Sequence, residues 1–272
     1  MQRAQPRLTN FKCAEDHVMG KIIAIGSSKG GPGKTTVTTN LAAALATAGN
    51  EVLIVDADSQ PHSSGWGGRR AEARDAAGLP PDIVTVVKFG KIGADVIELS
   101  KKYDFVLVDV GGREGTELRQ VLATCNLHIQ PIRPSDYDTW TVSDIQEMIT
   151  SVQNQTGTEV QSHILINAAP SNPLMRDHID FRKELEDSFD GINILQTVLR
   201  DRAMYRRSVR PGKGVLDFAV HPQYENDNAI QEMKDLYKEI FGIDWKPAHP
   251  EHMNLWGFAA PSGRGRSQSQ DS

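Results

Sequence analysis

"GSSKGGPGKTT", Gly26 to Thr36, decides how this chain folds. It follows an apolar, β-branched run, "KIIAIGS" (Lys21–Ser27), and leads into "TTVTTNLAAALATAG" (Thr35–Gly49), a helical stretch rich in alanine and leucine and closed by glycine. A strand, a glycine loop and a helix in that order make a phosphate cradle. Backbone N–H groups of Gly30, Gly31 and Gly33, in a nucleotide-binding loop that includes Pro32, approach the ligand with no Cβ in the way, and the helix N-terminus adds a favourable dipole. Lys34 is the residue for the β- and γ-phosphates, and the Thr35 hydroxyl is a ligand for Mg²⁺. The octet "SKGGPGKT" (Ser28–Thr35) departs from G-x-x-x-x-G-K-[ST] at its first position, where serine stands for glycine. The variant K-G-G-x-G-K-[ST]-[ST] is met in full from Lys29 to Thr36. That variant carries a second lysine, Lys29, on the wrong side of the glycines to serve the same phosphate in the same way.

Working outward, "EVLIVDAD" (Glu51–Asp58) and "YDFVLVDVGG" (Tyr103–Gly112) are apolar runs that end in acid. They place Asp56, Asp58 and Asp109 at carboxyl ends of strands, where open α/β sheets bind ligands. Asp109 fits a carboxylate that holds Mg²⁺ directly or through water, and Asp58 one that orients the attacking water. Asp56 touches the metal shell or braces the loop. Three further strands are read at "CNLHIQPI", "EVQSHILIN" and "INILQTVL", separated by helical stretches such as Trp140–Gln155 and Met175–Glu186. Nearly continuous hydrophobic strands between helices predict a doubly wound, mostly parallel sheet with helices on both faces, an α/β architecture of the P-loop NTPase kind. Asn167, which ends "ILIN", either reads the base or starts the turn that follows.

The chain has 272 residues, 39% of them hydrophobic and 24% charged, with a formal net charge of −5. One ATPase domain over 19–245 is expected, preceded by a short arm, 1–18, and followed by a polar, disordered tail, 246–272. No apolar run reaches the roughly 18 residues that span a bilayer, and the start lacks the core of a secretory signal, so a cytoplasmic protein is expected. Cys13 and Cys125 lie far apart without metal-ligand spacing, which argues against a disulfide framework and an iron–sulfur or zinc site. The amphipathic stretch Asn228–Trp245 reads as a core-packing helix and not as a membrane anchor.

The basic stretch "RDRAMYRRSVRPGK" (Arg200–Lys213) holds five arginines and one lysine against one aspartate. If Asp201–Val209 is helical, several of Arg202, Arg206, Arg207 and Arg210 share a face. Arg200, Arg202, Arg206, Arg207, Arg210 and Lys213 are therefore candidates for non-specific contacts with DNA phosphates. The alternative is a solvated face or internal ion pairs.

Taken together, "KGGPGKTT", "VDADSQPHSS", "YDFVLVDVGG" and "TVLRDRAMYRRSVRPGKGV" resemble the ParA/MinD family of deviant Walker-motif ATPases over most of Lys21–Phe241, and most of all its short plasmid-partition members. The resemblance implies ATP and Mg²⁺ as cofactors, with ATP preferred to GTP. It implies a homodimer formed on ATP binding, in which Lys29 crosses the interface to the partner's phosphates and acts with Lys34 and Asp58 in hydrolysis. It also implies release from non-specific DNA at the nucleoid when a ParB-type, centromere-binding protein stimulates hydrolysis. No membrane partner is expected. Two mobile segments, Asp58–Ser64 and Val110–Glu114, would sense the γ-phosphate. The chain departs from the family in both: Ser59 replaces a usual proline, and Gly111–Gly112 replaces a frequent proline pair. A positioning ATPase for another cargo, a protein compartment or MinD-like at the membrane, is the alternative reading.

Overall fold

The computed structural model describes residues 19–28, 30–74, 80–111, 115–134, 139–172, 174–224 and 226–253. Lys29, the expected arm 1–18 and the tail from 254 onward lie outside the described residues.

Six strands form one sheet: β1 (Lys21–Gly26), β2 (Val52–Ala57), β3 (Val84–Val87), β4 (Phe105–Val110), β5 (Leu127–Ile132) and β6 (Ser162–Ile166). Their order is β3-β2-β4-β1-β5-β6, and every pairing is parallel. Successive residues of a strand point to opposite faces, and β1, β2, β4 and β5 are buried on both, which is why those strands read as unbroken apolar runs. Ile23, Ile25, Ile54 and Leu107 pack on one side with α1 (Lys34–Thr47), α7 (Ala203–Val209) and α8 (Asn228–Phe241). Ile22, Ala24, Leu53, Val106 and Val108 pack on the other with α3 (Gly93–Ser100), α4 (Thr116–Leu122) and α5 (Thr139–Thr156). A third cluster joins the β6 edge to α6 (Asp177–Ser188). The expected doubly wound α/β sheet is the one observed.

The apolar face of α8, from Ile230 through Met233, Leu236 and Tyr237 to Ile240, is buried in this core. Asp227 caps the helix by accepting from the Ala229 N–H, and Gly242 ends it at φ 73°. No helix among the described residues is long and apolar enough to cross a membrane.

Three elements differ from the sequence reading. β3 is a four-residue edge strand that the short run "VTVV" did not announce. "INILQTVL" is not a strand of the sheet but makes single parallel bridges beside β6. Side chains take the backbone groups a ladder would use: Arg182 donates to the Leu195 carbonyl, and Glu239 accepts from the N–H groups of Gln196 and Thr197. Residues 246–253, expected in a loose tail, instead pack on the end of α1. There the Ala248 N–H reaches the Thr47 carbonyl, and the short helix α9 (Pro250–Met253) buries Met253.

Candidate nucleotide site

The parallel register sets the site. Asp109 lies opposite Ile25 on one side and Asp56 on the other, so both carboxyls sit level with the end of β1, beside the loop that follows it. Gly31 and Gly33 both take φ 92°, a left-handed conformation that side chains resist. A Cβ at Gly33 would stand 2.3 Å from Asn167 Nδ2, whose amide donates to the Pro32 carbonyl at 2.6 Å. Around Gly30 and Gly31 the space is open, which leaves their N–H groups a face toward a ligand. From below, the buried His128 ring places Nε2 3.2 Å from the Gly26 carbonyl and Nδ1 2.8 Å from Ser162 Oγ. Burial pushes the His128 pKa down to about 4, so the ring is neutral at physiological pH. In its neutral form Nε2–H donates to Gly26 while Nδ1 accepts from the serine.

Lys34 opens α1 and is 6% exposed. Burial lowers its pKa, while the nearby charges of Asp109 and Asp58 work in the other direction. Asp109 Oδ2 accepts from two hydroxyls, Thr35 Oγ1 at 2.8 Å and Ser63 Oγ at 2.6 Å. Its Oδ1 is buried without a partner. Asp56 accepts from the Ser64 N–H at 2.9 Å and the Asp58 N–H at 3.3 Å, which makes it a brace for the segment 58–64. Asp58 Oδ1 accepts from the Gln60 N–H at 3.0 Å. Its carboxyl lies against Gly111, where any Cβ would approach Asp58 Cγ to 3.0 Å. The glycine in place of a proline at 111 thus makes room for Asp58; residues 112–114 of the second expected switch lie outside the described residues.

An orphaned buried carboxylate oxygen beside a threonine hydroxyl, under an open glycine cradle, fits a divalent cation carried by a nucleotide. Burial is the largest influence on the Asp109 carboxyl and raises its pKa from 3.8 to about 6, against the lowering effect of its two hydroxyl donors. The folded state therefore binds this proton more tightly than the unfolded chain. The contribution of Asp109 to stability without ligand falls as pH rises from about 4 to about 6, by about 3 kcal/mol in all. His128 runs the opposite way, since its lowered pKa costs stability as pH falls toward 4. The difference between Asp109→Asn and the parent chain isolates the first effect. In thermal melts without ligand, the variant is expected to gain on the parent by several degrees between pH 4.5 and pH 7.5, and to lose the stabilisation that Mg²⁺-nucleotide gives the parent. A melting difference independent of pH would contradict this.

The sequence profile of the CobQ/CobB/MinD/ParA nucleotide binding domain matches residues 23–213. The chain belongs to this family. It is 51% identical over 232 residues to a "Maintenance of carboxysome distribution protein A" of Gloeobacter kilaueensis, covering 83% of this chain and 96% of that one. It is 36% identical over 110 residues to the chromosome partitioning protein ParA of Caulobacter vibrioides, 38% of this chain and 41% of that. Among solved structures, the ATP complex of a Cyanothece McdA variant superposes with a TM-score of 0.65, covering 83% of this chain and 98% of that one at 15% identity. Members of the ParA/MinD family are ATPases, and the expected ATP and Mg²⁺ fit this family.

Against the family's phosphate loop, the basic segment is a separate feature. α7 spans Ala203–Val209, with Arg202 just before it. Arg200 is turned inward, donating to the Pro170 carbonyl at 2.7 Å and facing His178 Nε2 at 3.2 Å. Arg202 forms a two-pronged ion pair with Glu232 of α8. Arg206 pairs with Asp201 at the surface. Lys213 stands 5.3 Å from the centre of the Phe218 ring. Arg207 and Arg210 are exposed, and among the described residues nothing pairs with them. The six candidates for DNA contact are thus divided, and Arg200 and Arg202 serve as internal ties.

Several residues of this region escaped the sequence reading. Ser63 and His128 carry no motif of their own. Asn40, within α1, donates to the Thr36 carbonyl and accepts from the Val215 N–H. The largest of them is Arg70, near the end of α2 (His62–Glu72), whose guanidinium pairs with Asp217 at 2.7 Å, both side chains fully enclosed.

Proposed function

We propose that the chain is a positioning ATPase that dimerises on ATP, holds DNA without reading its sequence, and lets go when ATP is hydrolysed. The observation that carries this is Asp109, a buried carboxyl with one oxygen on Thr35 and Ser63 and the other without a partner, beneath the glycine cradle. Thr35 and Asp109, with Asp56 behind them, would hold Mg²⁺, which would supply neutralisation of phosphate charge. The N–H groups of Gly30, Gly31 and those from Gly33 to Thr36 cradle the phosphates, Lys34 holds the γ-phosphate, and Asp58 orients water. Asn167 fixes the loop through Pro32, and a base contact would have to come from its remaining amide atoms. Lys29 of each subunit reaches the partner's phosphates, so the clamp exists only when nucleotide is present. Arg207 and Arg210, with Lys213 and Arg206, face the DNA backbone.

A site without a transition-state arginine of its own turns over slowly, at about 10⁻⁴ per second, and a partner in the place of a ParB-type protein raises that rate. For the cargo, the 51% identity across nearly the whole of a carboxysome distribution protein favours a protein compartment. The shorter match to a chromosome partitioning ParA keeps DNA segregation as the second reading.

The test is retention on a mixed-sequence DNA surface with ATP, with ADP and without nucleotide, across a salt series. Binding is expected with ATP alone. With roughly two phosphate contacts per subunit, the log–log salt slope of the dimer is about −3.6. Lys29→Ala is expected to bind nucleotide normally, remain monomeric by light scattering and leave the surface. Equal binding in all three states, or none, overturns the DNA part of the proposal; a dimeric Lys29→Ala overturns the role of that lysine.

A further inference from the structure

One helix touches both ends of this apparatus. The first turn of α2 holds Ser63, which donates to Asp109, and Ser64, whose N–H donates to Asp56. Its last two turns grip the end of the basic segment. Trp66 Nε1 donates to the Lys213 carbonyl at 3.3 Å, Arg69 Nε to the Val209 carbonyl at 3.4 Å, and Arg70 Nη1 to the Gly212 carbonyl at 3.2 Å. Backbone lies on backbone here: a Cβ on Gly212, which has φ 67°, would stand 2.2 Å from the Arg70 nitrogen. On its other side α2 meets the sheet as closely, since a Cβ on Gly67 would stand 2.4 Å from Thr85 of β3.

We propose that α2 is the element that couples the two regions: Ser63 and Ser64 register occupation of the carboxylate site, and Trp66, Arg69 and Arg70 set where 207–213 stands. This rests on the nucleotide site proposed above. The differential contact that such coupling requires is present at Ser63. Without ligand, its hydroxyl shares Asp109 Oδ2 with Thr35. A cation taken up by the free Asp109 Oδ1 and by Thr35 Oγ1 draws on the same carboxyl and the same threonine, and this alters the Ser63 bond that anchors the first turn of α2. A helix packed as closely as this one moves as a unit and not by bending, because interiors are dense and stiff. Arg69 adds a consequence. It is exposed beside the last turn of α7, so α2 brings a guanidinium of its own to the surface that carries Arg207 and Arg210. Trp66 and Arg70 are positioning residues, and Arg69 is a further contact for a polyanion.

Hydrogen exchange read by mass spectrometry tests this on the full chain, with and without Mg²⁺ and the imido analogue of ATP. In the parent chain, exchange is expected to change at 30–36 and, together with it, at 62–72 and 209–214. The change at 209–214 is expected to reach about fivefold or more, the lower end of ordinary coupling. Gly212→Ala pushes the segment off α2, and Trp66→Phe removes the indole N–H together with part of a buried ring. Both are expected to keep the response at 30–36 and lose most of that at 209–214. A parent response at 30–36 with none at 209–214 overturns the proposal, as does a full response in both variants. DNA retention measured in parallel separates the two claims. Coupled exchange without DNA binding leaves α2 in this role and removes DNA as the ligand, whereas ATP-dependent DNA binding without coupled exchange does the reverse. No response at 30–36 removes both.

Discussion

Replacing Asp58 with alanine is expected to lower the rate of ATP hydrolysis by about 10²–10⁴-fold, the ordinary cost of losing a positioned acid–base group, while nucleotide still binds. The carboxyl stands at the start of the loop after β2, close enough to Lys34 to counter the effect of burial on that lysine. In this structure it is turned onto its own segment, accepting from the Gln60 N–H, and it is pressed against Gly111. Under the proposed function, one side chain combines two roles: shaping 58–64 and facing the γ-phosphate. Asp58→Asn keeps an acceptor for the Gln60 N–H and lacks the charge. Single-turnover phosphate release should be lost in both variants if the charge orients water. It should survive in the asparagine variant if the residue only shapes the loop. Under the proposed function, the alanine variant also stays on DNA as an ATP-bound dimer. Hydrolysis at the parent rate in both variants would remove Asp58 from the mechanism.

The parts of this protein that were legible in its sequence are those encoded within a few neighbouring residues. The glycine loop is one, because φ near 92° at Gly31 and Gly33 and the need for bare backbone leave few other residues possible. The apolar runs ending in Asp56 and Asp109 are another, since a strand buried on both faces has no polar alternation and its acid must lie at the ligand end. What stayed hidden was decided by partners distant in sequence. Arg200, Arg202, Arg207 and Arg210 carry the same charge, yet Glu232 and the Pro170 carbonyl draw the first two inward and leave the last two outside. "INILQTVL" has the composition of a strand, and Arg182 and Glu239 divert its backbone groups. His128 was unremarkable in an apolar run, and it acquires its place under Gly26 only when β5 lies beside β1.

Arg70 is the extreme case, and its removal is expected to have the largest effect on stability. Several contacts converge on it and its partner. Arg70 Nε donates to the Pro81 carbonyl at 2.8 Å, and Nη1 to Asp217 at 2.7 Å and to Gly212. Asp217 also accepts from Thr47 Oγ1 at 2.9 Å and from the Gly214 N–H at 2.8 Å. One buried pair therefore ties α2 to the end of α1 and to the turn that follows the basic segment. Arg70→Ala leaves the Asp217 carboxylate enclosed with two weak donors and no cation. Breaking one side of such a pair costs about 3–5 kcal/mol, so the melting temperature should fall by roughly 6–20 °C. The double variant Arg70→Met, Asp217→Leu removes both charges and keeps apolar volume. It should recover most of the loss, because an uncompensated buried charge and not the missing attraction is the main penalty. It should not recover the nucleotide-dependent exchange at 209–214, since no guanidinium then holds the Gly212 carbonyl. A melt of Arg70→Ala within about 2 °C of the parent would mean that water reaches Asp217 and that the pair is not enclosed in solution. Recovery of the exchange response together with stability would assign the grip on 209–214 to Trp66 and Arg69 without Arg70.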